Sequence, residues 1–347
     1  MTSEPVVVCL GYPALLEQRF VERIRAVDPR IEVVRLPADP DGAWLRESVE
    51  KPHDEPPAWA LGCAAERRDA LARCEVMIAL ATPKDLMGLA PRLRWLQGFG
   101  AGVEQFAAAG VRRDRVIVTN VSGISAPSMA EFVLGRLLQI WKRFPESEAY
   151  QRKHEYAGTY GRTLAGSVLG IVGLGAIGCA LGERARALGM QVLGLKRNLA
   201  TGSDAADELF APAQLHEMLA RCDAVVISAP ATPDTRHLID ATALAAMKPG
   251  AMLVNVARGS LVDEAALLDA LASGHVSAAA LDVFEQEPLP PENPLWDAPN
   301  VYISAHSSVS IDRYVDDVFD VFEDNLRRYL AGEALRNQVD MEGLGFS

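Results

Sequence analysis

A chain of 347 residues, 49% hydrophobic and 23% charged, is long enough for two domains and carries ample apolar side chain for a core. Its formal charge of −12 argues against nonspecific binding to nucleic acid or to an anionic membrane surface, so any anionic ligand has to be caught by local positive groups. Cys9, Cys63, Cys74, Cys179 and Cys222 lack C-x-x-C spacing, and no leader pattern or bilayer-length apolar run is present; the expectation is buried, reduced thiols in a cytoplasmic protein.

Taken in order, residues 6–10 read as a strand, 14–27 as a helix and 31–36 as a strand. Residues 39–57, rich in Pro, Asp and Glu, read as a surface excursion. Residues 65–73 look helical and 76–81 strand-like, and 93–98 and 116–121 are two more short apolar runs, so the first third alternates helix and strand. Residues 122–128, SGISAPS, form a turn-rich joint; 130–141 carry helical apolar spacing, and 142–162 are polar with little periodicity.

The centre of the chain is the stretch 167–178, SVLGIVGLGAIG. An apolar run at 168–172 leads into Gly173, Gly175 and Gly178, the G-x-G-x-x-G spacing. The first glycine permits a tight turn, the second admits a pyrophosphate close to the backbone, and the third lets the next helix lie on the strand. That helix, 176–188, opens with Ala176 and Ile177 and aims its free N–H groups at the phosphates. The flanking strands at 168–172 and 191–195 supply the context that the motif needs to mark a dinucleotide site.

Alternation then continues: helix 213–220, strand 223–229, helix 242–247, strand 252–256, helix 264–272, strands 277–283 and 301–304, and a last amphipathic helix at 311–330. Six strands counted from Val168 make a full dinucleotide-binding sheet. The expected fold is α/β: a central Rossmann-type, doubly wound parallel sheet at 123–306, and a discontinuous α/β substrate domain from 1–122 and 307–347. A ligand is expected in the cleft between them.

In NAD binders an acidic residue about 20 positions after the glycines holds the ribose hydroxyls. Here Lys196 takes that place and Arg197 follows. A guanidinium binds a 2′-phosphate that a carboxylate repels, so NADP(H) is the preferred cofactor, with NAD(H) possible.

Three strand ends each offer a reactive group: Arg258, the carboxylates up to Glu287, and His306. An arginine for an anionic carboxylate, a histidine for a proton and a glutamate to orient it suffice to reduce a 2-keto acid. Among the other histidines, His53, His154, His216, His237 and His275 fall in polar or loop contexts and read as surface residues; Glu285 reads as solvated. No His, Cys and carboxylate cluster has metal spacing.

With these motifs in order, the chain resembles the D-isomer-specific 2-hydroxyacid dehydrogenase family. The resemblance runs through GIVGLGAIG, PATPDT, MKPGAMLVNVARGSLVDE, LDVFEQEPL, NPLWDAPNVYISAH and FEDNLRRYLAGEALRN. It implies a flavodoxin-like substrate domain and a catalytic set of Arg258, Glu287 and His306. It places cofactor contacts on Pro230, Thr235, Val256, Ala257, Asp282 and Ser308, with Asp282 on the nicotinamide side. It also implies that backbone amides of the loop 99–104 hold the substrate carboxylate; Ala101 and Gly102 are the candidates, because consecutive N–H groups of a Gly-rich turn form an anion nest. Ala305 departs from the family's usual proline before the histidine, and Ser307-Ser308 replace its Gly-rich stretch.

The resemblance is nearest to the glyoxylate/hydroxypyruvate reductases, and it implies a homodimer formed through helix 130–141. The alternatives are an NAD enzyme for a bulkier keto acid and a dinucleotide-sensing corepressor. A panel of keto acids against both cofactors separates them.

Overall fold

Short runs rich in Val, Ile and Leu, with no in-and-out alternation, are what a parallel strand covered on both faces needs. They assemble here into two parallel sheets. The computed structural model describes residues 4–36, 65–83, 85–112, 114–310 and 312–339. The excursion at 39–57, with His53, and Cys63 lie outside the described residues. The chain divides into two compact units, Met1–Ile124 with Ile311–Ser347, and Ser125–Ser310.

In the first unit, β1 (Val6–Gly11), β2 (Ile31–Arg35), β3 (Val76–Ala79), β4 (Trp95–Gly98) and β5 (Ile117–Thr119) lie in the order β2-β1-β3-β4-β5. This is the flavodoxin-like order, with its reversal between β1 and β3. The helix Tyr314–Ala331 covers one face: Phe319 meets Phe20 at 4.5 Å between ring centroids, and Phe322 stacks on Trp95 at 5.2 Å. Buried polar groups there are satisfied in a relay. Trp95 Nε1 donates to Thr119 Oγ1 (2.8 Å), Thr119 donates to Gln97 Oε1 (2.8 Å), and Asn325 Nδ2 donates to the same oxygen (3.2 Å).

The second unit holds β6 (Val168–Val172), β7 (Gln191–Leu195), β8 (Glu208–Phe210), β9 (Ala224–Ile227), β10 (Ala251–Asn255), β11 (Val276–Leu281) and β12 (Val301–Ile303). Their order is β12-β11-β10-β9-β6-β7-β8, the Rossmann arrangement extended by one strand. The sheet therefore has seven strands rather than six. β8 is only three residues long and pairs through Leu193↔Glu208 to Leu195↔Phe210, too short to leave a pattern in the sequence. The polar stretch 142–162 likewise contains a helix, Phe144–Arg152. It buries no residue and so shows no apolar stripe, although Pro145 and Glu146 are good first-turn residues.

The order reverses where β6 pairs with β7 on one side and β9 on the other, which places a crevice beyond the carboxyl ends of β6 and β9. Every site residue assigned in this unit follows a strand's carboxyl end. No helix among the described residues is long and apolar enough to cross a membrane. Cys9, Cys74 and Cys222 are buried as expected, whereas Cys179 is only partly covered.

Candidate active site

The glycine turn after β6 shows three different reasons for glycine. Gly173 has φ +103°, and a Cβ on it would lie 2.6 Å from the Ala229 nitrogen. A Cβ on Gly178 would lie 2.2 Å from the Gly173 oxygen, so that glycine lets the helix Ala176–Ala187 rest on the strand. Gly175 is different: it has φ −83° and its Cβ would meet no atom within 4 Å. Neither strain nor packing asks for glycine at 175, and open space in front of a helix N-terminus is what close approach of a pyrophosphate needs. The residues present therefore fit a dinucleotide. Ser228 fixes the turn from β9 by donating to the Gly173 carbonyl (2.8 Å).

Lys196 and Arg197 follow β7 as expected, but they do different things. Lys196 Nζ donates to the Gly202 carbonyl at 2.6 Å and so closes the loop that follows. Arg197 is exposed and has no side-chain hydrogen bond or ion pair among the described residues.

After β9, Pro230 and Thr235 meet each other: Thr235 Oγ1 donates to the Pro230 carbonyl (2.8 Å) and accepts from the Thr232 N–H (2.8 Å), which staples the turn. After β10, the Val256 and Ala257 side chains are buried in the unit's cores, leaving only their backbone for a ligand. Asn255 holds the next turn. Its Oδ1 accepts from the Ala257 N–H (3.0 Å) and its Nδ2 donates to the Arg258 carbonyl (2.9 Å). Arg258 itself donates one N–H to the Ala257 carbonyl (2.8 Å), leaving most of its donor fork free.

The structure brings Glu287 and His306 together. His306 Nδ1 is 2.8 Å from Glu287 Oε2, and Glu287 Oε1 accepts from the Phe284 N–H at 3.0 Å. Half-burial pushes the Glu287 carboxyl up, but the His306 ring, the Phe284 N–H and the Arg258 charge outweigh burial and hold it below the usual glutamate range. With Nδ1 committed to Glu287, Nε2 is the atom of His306 left to hold and release a proton.

Asp282 shapes the turn that presents His306. It is 1% exposed, and its carboxylate accepts from Ser304 Oγ (2.6 Å) and from the N–H groups of Ser307 (2.9 Å) and Ser308 (3.0 Å). Its carbonyl accepts from the His306 N–H (2.8 Å). These bonds hold His306 at φ +48°, a conformation that costs a residue with a Cβ about 1 kcal/mol. Asp282 and Ser308, both assigned to the cofactor, are thus bound to one another.

Several neighbours were not legible as site residues. Asn255 and Ser304 carried only the weak signal of a short polar residue at a strand end. Gly259 lets two loops touch: its Cβ would lie 1.8 Å from the Phe284 carbonyl carbon. His237 and Glu285, read as surface and solvated residues, are hydrogen-bonded to each other and each is only about one-third exposed (33% and 35%). His275 is also partly covered, whereas His154 and His216 are exposed as expected.

In the first unit, the loop after β4 contains Ala101 and Gly102. Their carbonyls are occupied, Ala101 O by Asn120 Nδ2 (2.7 Å) and Gly102 O by Gln105 Nε2 (3.4 Å). Their N–H groups donate to no acceptor among the described residues, as an anion nest requires.

Known proteins are similar to this chain in family and in fold. A family model described as "D-isomer specific 2-hydroxyacid dehydrogenase, NAD binding domain" matches residues 134–308. The chain is 33% identical over 269 residues to a D-3-phosphoglycerate dehydrogenase of Methanocaldococcus jannaschii, across 75% of this chain and 50% of that protein. It spans about half the length of such relatives. A glyoxylate reductase of Korarchaeum cryptofilum is 31% identical over 284 residues, across 78% of this chain and 83% of that protein. Among solved structures, an NADPH-dependent glyoxylate/hydroxypyruvate reductase from Sinorhizobium meliloti, in complex with NADP and sulfate, aligns with a TM-score of 0.77 at 28% identity. That alignment covers 98% of this chain and 99% of the other.

Proposed function

We propose, for a chain that belongs to the D-isomer-specific 2-hydroxyacid dehydrogenase family, an NADPH-preferring reduction of small 2-keto acids, glyoxylate and hydroxypyruvate foremost, to 2-hydroxy acids. The observation that carries this reading is the 2.8 Å pair of His306 and Glu287, with Arg258 near enough for its charge to act on Glu287. A nicotinamide dinucleotide supplies the hydride when bound. His306, as imidazolium, donates from Nε2 to the oxygen that becomes the hydroxyl. Glu287 accepts from Nδ1 and keeps the ring in that orientation. Arg258 offers paired N–H donors to the substrate's carboxylate and polarises the neighbouring carbonyl. Within the first unit, the N–H groups of Ala101 and Gly102 form a nest that suits a carboxylate.

Two features support the choice of substrate and cofactor. Among the described residues, the strand ends beside the nest, residues 11–12, 79–82, 98–102 and 119–120, include no Lys, Arg or His, which favours a substrate without a phosphate. Arg197 after β7 is exposed and has no side-chain hydrogen bond or ion pair among the described residues, which suits a 2′-phosphate. The test is a panel of keto acids, phosphorylated and not, against NADPH and NADH. Turnover of glyoxylate or hydroxypyruvate that prefers NADPH supports the reading; preference for a phosphorylated or bulky acid, or for NADH, overturns it.

A homodimer belongs to the same proposal, although the helix Ala126–Trp141 spends Met129, Val133, Leu134, Leu137 and Trp141 on its own unit's core. The apolar surface left over lies just beyond it, at Phe144, Tyr156 and Tyr160, which are all exposed. Light scattering of wild-type and Tyr156→Ser/Tyr160→Ser protein tests that surface. The unpaired state of the four described cysteines supports a reducing, cytoplasmic setting.

A further inference from the structure

Three consecutive strand-end loops of the second unit meet at one residue that takes no part in the chemistry above. His237 lies between β9 and the helix Ala241–Ala246, at φ +48°. Its backbone N–H donates to the Ser260 carbonyl (2.8 Å), beyond β10. Its ring Nε2 is hydrogen-bonded to Glu285 Oε1, beyond β11. The loops joined in this way carry Thr235, Arg258 and Glu287.

We propose that His237 is a positioning residue: by holding Glu285, it fixes the 284–287 segment so that Glu287 meets the His306 ring. The proposal rests on the reading of Glu287 and His306 as the proton-transfer pair. An exposed polar pair by itself contributes little. This one acts on a short segment whose Phe284 and Glu285 N–H groups are also bound. The Glu285 N–H donates to Glu264 Oε1 (2.7 Å), and the Phe284 N–H donates to Glu287 Oε1 (3.0 Å). The Phe284–Glu285 peptide lies against Gly259, where a Cβ would lie 2.3 Å from the Glu285 nitrogen. Only Gln286 separates the carboxylate held by His237 from the one held by His306.

Charge points the same way. Glu264, Glu285 and Glu287 crowd together: half-burial and the charges of Glu285 and Glu287 push the Glu264 carboxyl up, although the Glu285 N–H opposes this. The His237 ring is hydrogen-bonded to Glu285 and the His306 ring to Glu287, with the Arg258 charge acting on Glu287 from the β10 loop. On its own loop His237 is flanked by Asp234 and Arg236. Removing the His237 ring takes away the hydrogen bond that holds Glu285, two residues from Glu287, and frees the segment that carries it.

The experiment follows the Glu287 carboxyl directly, by 13C NMR titration in wild type, His237→Ala, His237→Gln and Glu285→Gln, beside steady-state keto-acid reduction. In His237→Ala the Glu287 titration moves up toward the ordinary glutamate range. There kcat falls about ten- to hundredfold with little change in KM, the scale of a displaced catalytic group. His237→Gln, which keeps a donor for Glu285, restores most of both. Should His237→Ala not fold, Glu285→Gln gives the same test without removing the ring. An unchanged Glu287 titration in an active, folded variant overturns the proposal. A shifted titration in a protein whose wild type reduces no keto acid supports the positioning and overturns the assigned activity instead.

Discussion

His306 Nδ1 and Glu287 Oε2 lie 2.8 Å apart, although 19 positions separate the two residues and different strands present them. Because Glu287 is held below the usual glutamate range, it is a carboxylate throughout neutral pH. A carboxyl whose folded value is depressed adds stability above its ordinary range and loses it as pH falls through the folded value. The melting temperature of wild type should therefore exceed that of Glu287→Gln at neutral pH, and the two should converge on acidification. In reduction kinetics, Glu287→Gln should lower kcat more than it changes KM, because the carboxylate that accepts from the His306 ring and orients it is gone. An unchanged kcat contradicts the pairing.

Arg197→Ala should raise the dissociation constant of NADPH by an amount worth about 1.5–3 kcal/mol, the range for hydrogen bonds to charged groups. Binding of NADH should change far less. Fluorescence titration with each cofactor measures this, and equal losses for both remove Arg197 from the 2′ position.

Gly173 and Gly175 should respond oppositely to alanine. Gly173→Ala forces a Cβ to 2.6 Å from the Ala229 backbone at φ +103°, so the protein should fail to fold or melt far lower. Gly175→Ala has room for its methyl and an ordinary φ, so it should keep the wild-type melting temperature and lose dinucleotide affinity. Loss of stability in the second variant would show that packing, not a ligand, asks for glycine there.

Burial pushes the Cys222 thiol up to about 12. In the native state it should resist alkylation at pH 8 and react only on denaturation, as mass mapping of the labelled peptide can verify. The nearby Gly170, whose Cβ would lie 2.6 Å from Cys222 Sγ, should tolerate alanine only with loss of stability.

The strand ends were readable because parallel strands buried on both faces are short, apolar and punctuated, and because the glycine turn has a fixed spacing. Arg258 and His306 stand out because reactive side chains follow such runs within three residues, whereas Glu287 is told from the neighbouring carboxylates by the family resemblance. β8 and the helix Phe144–Arg152 were not readable: one is three residues long, the other buries nothing. Asn255, Ser304 and His237 escaped notice because their importance lies in partners distant along the chain. A polar residue in a loop looks solvated until the second loop is beside it, as Glu285 beside His237 illustrates.

The first unit's order of assembly follows from its covering helix. Trp95 and Phe20 emerge from the ribosome long before Phe319 and Phe322, the rings that cover them. During translation of some 220 residues the five-stranded sheet keeps an oily flank uncapped, and by the end of that span all seven strands of the other sheet have been made. Nascent chains stalled before residue 314 should thus engage chaperones through the earlier sheet.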